Sequence, residues 1–376
     1  VVLAVLGLAG PGAEAASTPV SVVAAEDSWG SIARQLGGEH AEVTSLIADP
    51  DTDAHDYEAK PSDGVAVAKA QVAIVNGIGY DGWMTKLLAA NPSPGRKVVT
   101  VGDVVGVKEG GNPHQWYSPR SVNSVIDAVT EALKQADPGN AGYFDAQRQA
   151  YRTEGLKRYN DLLAEIRARY GGVEVGASES IFTPLADELG LRLVTPESFI
   201  EAISEGNEPT AKDKATVDKQ ISGKQIKVFV YNAQNSTPDV EALVDRSKKA
   251  GIPVVTVTET LVPQGASFQD WQANQLQTLV DGLARSAGTT APSVGAAQAP
   301  GPNAAPAGGD TARSGDTATS GDAATSAAAA PTASLTRTGA ASRWLAVLAG
   351  AAFVLGGLGV IGGAAAHRNR SPLRGA

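Results

Sequence analysis

Short runs of apolar, β-branched residues recur along the chain at 20–25, 43–47, 72–76, 98–101, 173–176, 191–195, 227–231 and 253–258. They are continuous in valine and isoleucine rather than alternating, which is what strands in a parallel sheet covered on both faces require. Between most of them lie stretches with helical spacing, at 29–35, 61–69, 83–90, 181–189 and 240–250, several closed by a glycine. A strand followed by a helix, four times and then four times again, predicts an α/β fold of two (βα)4-type lobes with parallel sheets.

The most helical text in the chain, 140–170, separates the two halves. Tyr143, Gln147, Ala150, Tyr151, Leu156, Tyr159, Leu162, Leu163 and Ile166 keep a 3.6-residue beat, and Gly171-Gly172 ends it. About thirty residues make a rod of about 45 Å. One backbone helix joining two lobes predicts limited domain motion around an interlobe cleft. The expected division is a first lobe over 19–137, a linker helix over 138–171 and a second lobe over 172–287.

The ends of the chain read differently. Residues 1–18 resemble the remnant of a signal peptide, with an apolar run leading into the small-x-small pattern Ala13-Glu14-Ala15. Residues 288–343 are almost entirely Ala, Gly, Pro, Ser, Thr and Asp, the composition of a disordered tether. An uncharged stretch at 344–366 would reach about 30 Å as a helix, the length of a membrane span, and a basic tail at 367–376 follows it. Leu335-Thr336-Arg337-Thr338-Gly339 resembles a sortase sorting signal, with Thr336 where proline is usual. These features predict lobes on the extracellular face of the membrane or in the cell wall, anchored through the C-terminus, with the membrane as a partner. The net charge of -9 offers no basic stripe for nucleic acid, and without cysteine there is no disulfide frame.

In an open parallel sheet, ligands bind outside the carboxyl ends of the strands. His55 lies in the loop after the second strand, and His114 holds the equivalent place after the fourth, within 112–119 (NPHQWYSP). His40 precedes a strand, at the opposite edge, and reads as a surface residue. In the second lobe Glu179 follows the first strand and Glu259 ends the last. Two imidazoles and two carboxylates facing one cleft would make a mixed nitrogen and oxygen site for a first-row divalent cation. Trp116 and Tyr231, with Trp83 and Phe199, are candidates to wall the cleft, and Asn232 is a candidate to steady a ligand.

Four segments, D-x-H-D-Y-E with the following K-P-S-D, N-P-H-Q-W-Y-S-P, S-E-S-I-F and the long helix, together resemble the zinc and manganese solute-binding proteins of ABC importers over residues 19–287. The resemblance implies a monomeric extracytoplasmic receptor that captures Zn2+ or Mn2+ as transported ligand and delivers it to an importer permease and its ATPase. It implies His55, His114, Glu179 and Glu259 as ligands. Many zinc-type members carry histidine where Glu179 stands, and the family's fourth ligand is usually aspartate. Oxygen-rich ligands suit manganese, whereas binding order favours zinc, so both metals stay open. The alternatives are a metal-stabilised surface adhesin or structural receptor and a metal-dependent hydrolase. The hydrolase lacks an H-E-x-x-H motif, and four protein ligands leave no obvious position for a catalytic water.

Overall fold

The computed structural model describes residues 18–50, 52 and 57–289. All eight expected strands form. The first sheet contains β1 (Val20–Glu26), β2 (Ala41–Ile47), β3 (Val72–Val75) and β4 (Lys97–Thr100), in the order β2-β1-β3-β4. The second contains β5 (Glu174–Ala177), β6 (Arg192–Leu193), β7 (Phe229–Asn232) and β8 (Val254–Val257), in the order β6-β5-β7-β8. Every pairing is parallel. The two sheets share one topology, and each has its switch point between its first and third strands, where a crevice opens at the carboxyl ends.

Position in the sheet explains the hydrophobic pattern. All four residues of the central strand β3 are buried, whereas the edge strand β2 leaves alternate residues half-buried and exposed. Each fully buried valine or isoleucine contributes about 1.5–3 kcal/mol relative to an exposed one. The central strands therefore need unbroken apolar text and the edges do not.

Twelve helices flank the sheets among the described residues. The first lobe carries α1 (Asp27–Gly37), α2 (Pro61–Lys69), α3 (Gly82–Ala90), α4 (Val101–Val105) and α5 (Pro119–Ala136). The second carries α8 (Thr183–Leu189), α9 (Glu197–Ser204), α10 (Ala211–Ser222), α11 (Pro238–Lys249) and α12 (Phe268–Ser286). Several starts are written locally. Ser118, Thr237 and Ser267 each accept a hydrogen bond from the backbone N–H three residues on, opening α5, α11 and α12.

The bridge consists of α6 (Ala141–Ala150), one π-helical turn (Tyr151–Gly155) and α7 (Lys157–Tyr170). Leu156 N donates to Tyr151 O at 2.8 Å, the wider hydrogen bond of a π turn. Gly155 lies against the Tyr151 ring, where a Cβ would stand 2.7 Å from Cδ2. The helix α7 packs on α12, with Tyr159 and Phe268 edge to face at 6.3 Å and Arg158 donating to Asn274 at 2.8 Å. The main apolar core cluster runs through both lobes, taking in Trp29 and Trp116 on one side and Phe182, Val228 and Trp271 on the other, and each lobe adds a smaller cluster of its own.

The longest helices, α5 and α12, are amphipathic. One carries Asp127, Glu131 and Lys134, the other Asp270, Asp281 and Arg285. Among the described residues no helix is long and apolar enough to cross a membrane. Within these residues the expectation of a transmembrane helix is not met, and with it go the membrane as a partner and a location anchored through the C-terminus. The stretch 344–366 lies outside the described residues, as do Leu335, Thr336, Arg337, Thr338, Gly339, the basic tail and residues 1–17.

Candidate metal centre

His114 sits between α4 and α5, at the entry to a 3₁₀ turn (Gln115–Tyr117). Asn112 fixes its ring. The Asn112 side-chain oxygen accepts the backbone N–H of His114 at 2.9 Å and lies 3.0 Å from Nδ1. Because that oxygen accepts, the proton belongs on Nδ1, and Nε2 is the atom presented to a metal. The same asparagine donates to Ser180 O at 2.7 Å, tying the histidine loop to the other lobe beside Glu179.

The second lobe brings two carboxylates to this point. Glu179 follows β5 in extended conformation, just before a 3₁₀ turn (Ser180–Phe182). Glu259 follows β8, its backbone N–H held by the Gln234 side-chain oxygen at 2.6 Å. Asn232, at the end of β7, donates its one amide nitrogen to Glu179 Oε1 at 2.7 Å and to Glu259 Oε1 at 2.8 Å. Asn235 donates to Glu179 Oε2 at 2.7 Å, and Tyr80 of the first lobe donates its hydroxyl to Glu259 Oε2 at 2.6 Å.

His114, Glu179 and Glu259 are 1%, 1% and 6% exposed, and each offers one donor atom within 4.8 Å of the others. Two buried carboxylates side by side are costly unless compensated. Neutral amide and hydroxyl donors supply part of the compensation, and a divalent cation would cancel the remaining charge. A tetrahedral zinc about 2.1 Å from each ligand sets ligand atoms about 3.4 Å apart, so modest side-chain rotation would gather them.

Trp116 stands behind the histidine, fully buried, its ring perpendicular to His114 at 5.4 Å and edge-on to Trp29 at 6.2 Å. Asn76 joins these parts, accepting from Trp29 Nε1 and donating to Pro113 O, both at 3.0 Å. Tyr231 is half-buried and packs against a separate core cluster of the second lobe that also contains Phe199. Trp83 stacks on Tyr57 at 4.6 Å. His40 is half-buried with its ring against Tyr143 at 4.4 Å, so it is a packed residue rather than a freely solvated one. His55 lies outside the described residues.

Three buried acids of the first lobe lie at the end of β1, the start of α1 and just before α3. Burial, and then Asp81, push the Glu26 carboxyl well above the ordinary carboxylate range. Burial also raises Asp81, against the opposing N–H groups of Gly77 and Asn76. Burial carries Asp27 up to about 6, although the Leu261 N–H and Arg34 oppose it. Tyr80, Asn112, Asn235 and Gln234 are absent from the expected site. Their only sequence signal is their place in loops after strands, shared with many residues of no consequence.

A family model described as zinc-uptake complex component A, periplasmic, matches residues 22–282. The chain belongs to this zinc-uptake component A family. The iron-binding protein YfeA of Yersinia pestis is 30% identical over 171 residues, 43% of this chain and 54% of that protein. The metal ABC transporter substrate-binding lipoprotein SloC of Streptococcus mutans is 26% identical over 294 residues, 73% of this chain and 92% of that protein. The chain spans about half the length of YfeA and of the manganese-binding lipoprotein MntA of Halalkalibacterium halodurans, at 54% and 50%. Among solved structures, the Mn-bound periplasmic metal binding protein of Candidatus Liberibacter asiaticus superposes with a TM-score of 0.59 at 21% identity, over 71% of this chain and all of that one. FpvC of Pseudomonas aeruginosa in complex with Mn2+ gives 0.58 at 21% identity, over 72% of this chain and 100% of that one. These structures share the family's two-lobed fold.

Proposed function

We propose that this chain is the extracytoplasmic substrate-binding receptor of an ABC-type importer, capturing Zn2+ or Mn2+ and delivering it to a permease and its ATPase. The carrying observation is the buried trio His114, Glu179 and Glu259, drawn from both lobes onto one point. His55, from the loop after β2, is the fourth ligand of this reading. A neutral imidazole donor and two carboxylates form a charge-matched shell for a first-row dication. Relatives are named for iron, manganese and zinc, which supports a transition metal as cargo. Membership in a family of transport receptors makes the chain a binding protein and not an enzyme. Asn232 steadies both carboxylates and Trp116 keeps water from the ion, while Tyr231, the neighbour of Asn232 on β7, packs on the second lobe's own core.

Titration of the chelator-stripped protein with zinc and with manganese tests this reading. The expected result is one ion per chain in the wild type and severe loss of affinity in His114→Ala and Glu179→Gln. Wild-type affinity in both variants would remove the site.

A further inference from the structure

Tyr80 enters the site from the first lobe on a backbone held out of its ordinary conformations. Gly77, Ile78 and Gly79 all have positive φ, at 70°, 62° and 86°, and for a β-branched residue that is an outlier that persists only where its surroundings impose it. Those surroundings are present. The Asp81 carboxylate accepts the N–H groups of Asn76 and Gly77 at 2.7 Å each, and Tyr80 N donates to Gly77 O at 3.0 Å. Ile78 lies so close over Gly102 that a Cβ there would stand 2.8 Å from its Cγ1. The result is a buried ring fixed edge-on to His114 and Trp116, at 6.0 and 5.3 Å, with its hydroxyl on Glu259.

That hydroxyl engages the second oxygen of the carboxylate. Glu259 Oε1 takes the Asn232 amide and Oε2 takes the phenol, the latter at 2.6 Å, a short charge-assisted hydrogen bond. An oxygen engaged in this way keeps a lone pair for a cation, but a cation gripping both oxygens would compete with the phenol for Oε2. We propose that Tyr80 is a positioning residue that restricts Glu259 to one-oxygen coordination, and so biases the site toward a four-coordinate ion such as zinc over manganese, which takes more oxygen ligands. The proposal rests on the reading of Glu259 as a metal ligand.

Chelator-competition titrations of the full chain with zinc and with manganese, in the wild type, Tyr80→Phe and His114→Ala, test it. Tyr80→Phe keeps the ring and loses only the hydroxyl. The expected outcome is a shift of about tenfold in the ratio of the two dissociation constants toward manganese. X-ray absorption of the manganese-loaded variant should show a coordination number higher by one than the wild type. An unchanged ratio, or equal weakening of both metals, in a variant with wild-type circular dichroism overturns the role of Tyr80. Should Tyr80→Phe fail to fold, Tyr80→Leu, which also lacks the hydroxyl, carries the same expectation. Wild-type protein that binds neither metal, or a His114→Ala variant that binds both normally, overturns the metal site itself, and the role of Tyr80 falls with it.

Discussion

Asn232 Nδ2 lies 2.7 Å from Glu179 Oε1, and the same nitrogen reaches Glu259 Oε1 at 2.8 Å. One amide thus separates two carboxylates that would otherwise repel each other in a buried site. In Asn232→Ala both acids lose a donor, and leaving a buried polar group short of a partner costs about 1–3 kcal/mol, more where the group is charged. The metal-free variant should melt below the wild type, and zinc should recover more of the loss than it adds to the wild type. Calorimetry with and without metal measures both.

His114→Ala should abolish the metal-induced rise in melting temperature. A ligand bound only by the native state adds about 4 kcal/mol at a thousandfold excess over its dissociation constant. His40→Ala should keep that rise, since His40 packs on Tyr143 and not in the trio. Thermal shift of the two variants side by side checks the assignment.

Asp27 reverses the usual carboxylate sign. Its folded value, about 6, lies above the reference of 3.8, so the native state binds the extra proton between those values. Its contribution to stability is therefore fully present below about pH 4 and is lost as pH rises through about 6. The gap of 2.2 units corresponds to about 3 kcal/mol as an upper bound. Asp27→Asn retains an acceptor for the Leu261 N–H and removes the titration. Metal-free Asp27→Asn should be more stable than the wild type at pH 8, with the difference vanishing toward pH 4. Denaturant melts across that range give the answer.

Small-angle scattering should show little compaction on metal loading. The second-lobe segment around Glu259 is already clasped by the first lobe, with Tyr117 donating to Thr258 O at 2.8 Å and Asp27 accepting from Leu261 N at 3.0 Å. The main apolar core cluster is common to both lobes. A large decrease in radius of gyration would mean that these clasps open in the metal-free protein in solution.

The strands were legible because burial on both faces demands apolar text, which β1 and β3 carry in Val, Ala and Ile, while β5 (EVGA) and β7 (FVYN) are more mixed and stood out through the valines and isoleucines beside them. The second strand of the second lobe was expected over 191–195 and forms only at Arg192–Leu193, where an edge position tolerates a short ladder. His114, Glu179 and Glu259 were legible from strand-end position, since parallel topology sends every such loop to one side. Tyr80 was not, because its role depends on a residue 179 positions away, and no local spacing encodes that distance. The Gly77-Ile78-Gly79 text announces a turn without saying where its next side chain will go.

The π turn at Tyr151–Gly155 is in effect one extra residue in the bridge, and one residue is about 100° of helical phase. Upstream of it α6 packs on α1 and α5, and downstream α7 packs on α8 and α12. The two lobes therefore take hold of the bridge along stripes offset by that rotation. Deleting a single residue there would leave each lobe's own text intact while turning one lobe against the other like a mis-set dial. The meeting of His114 with Glu179 and Glu259 is thus written partly into the length of a helix that touches none of them.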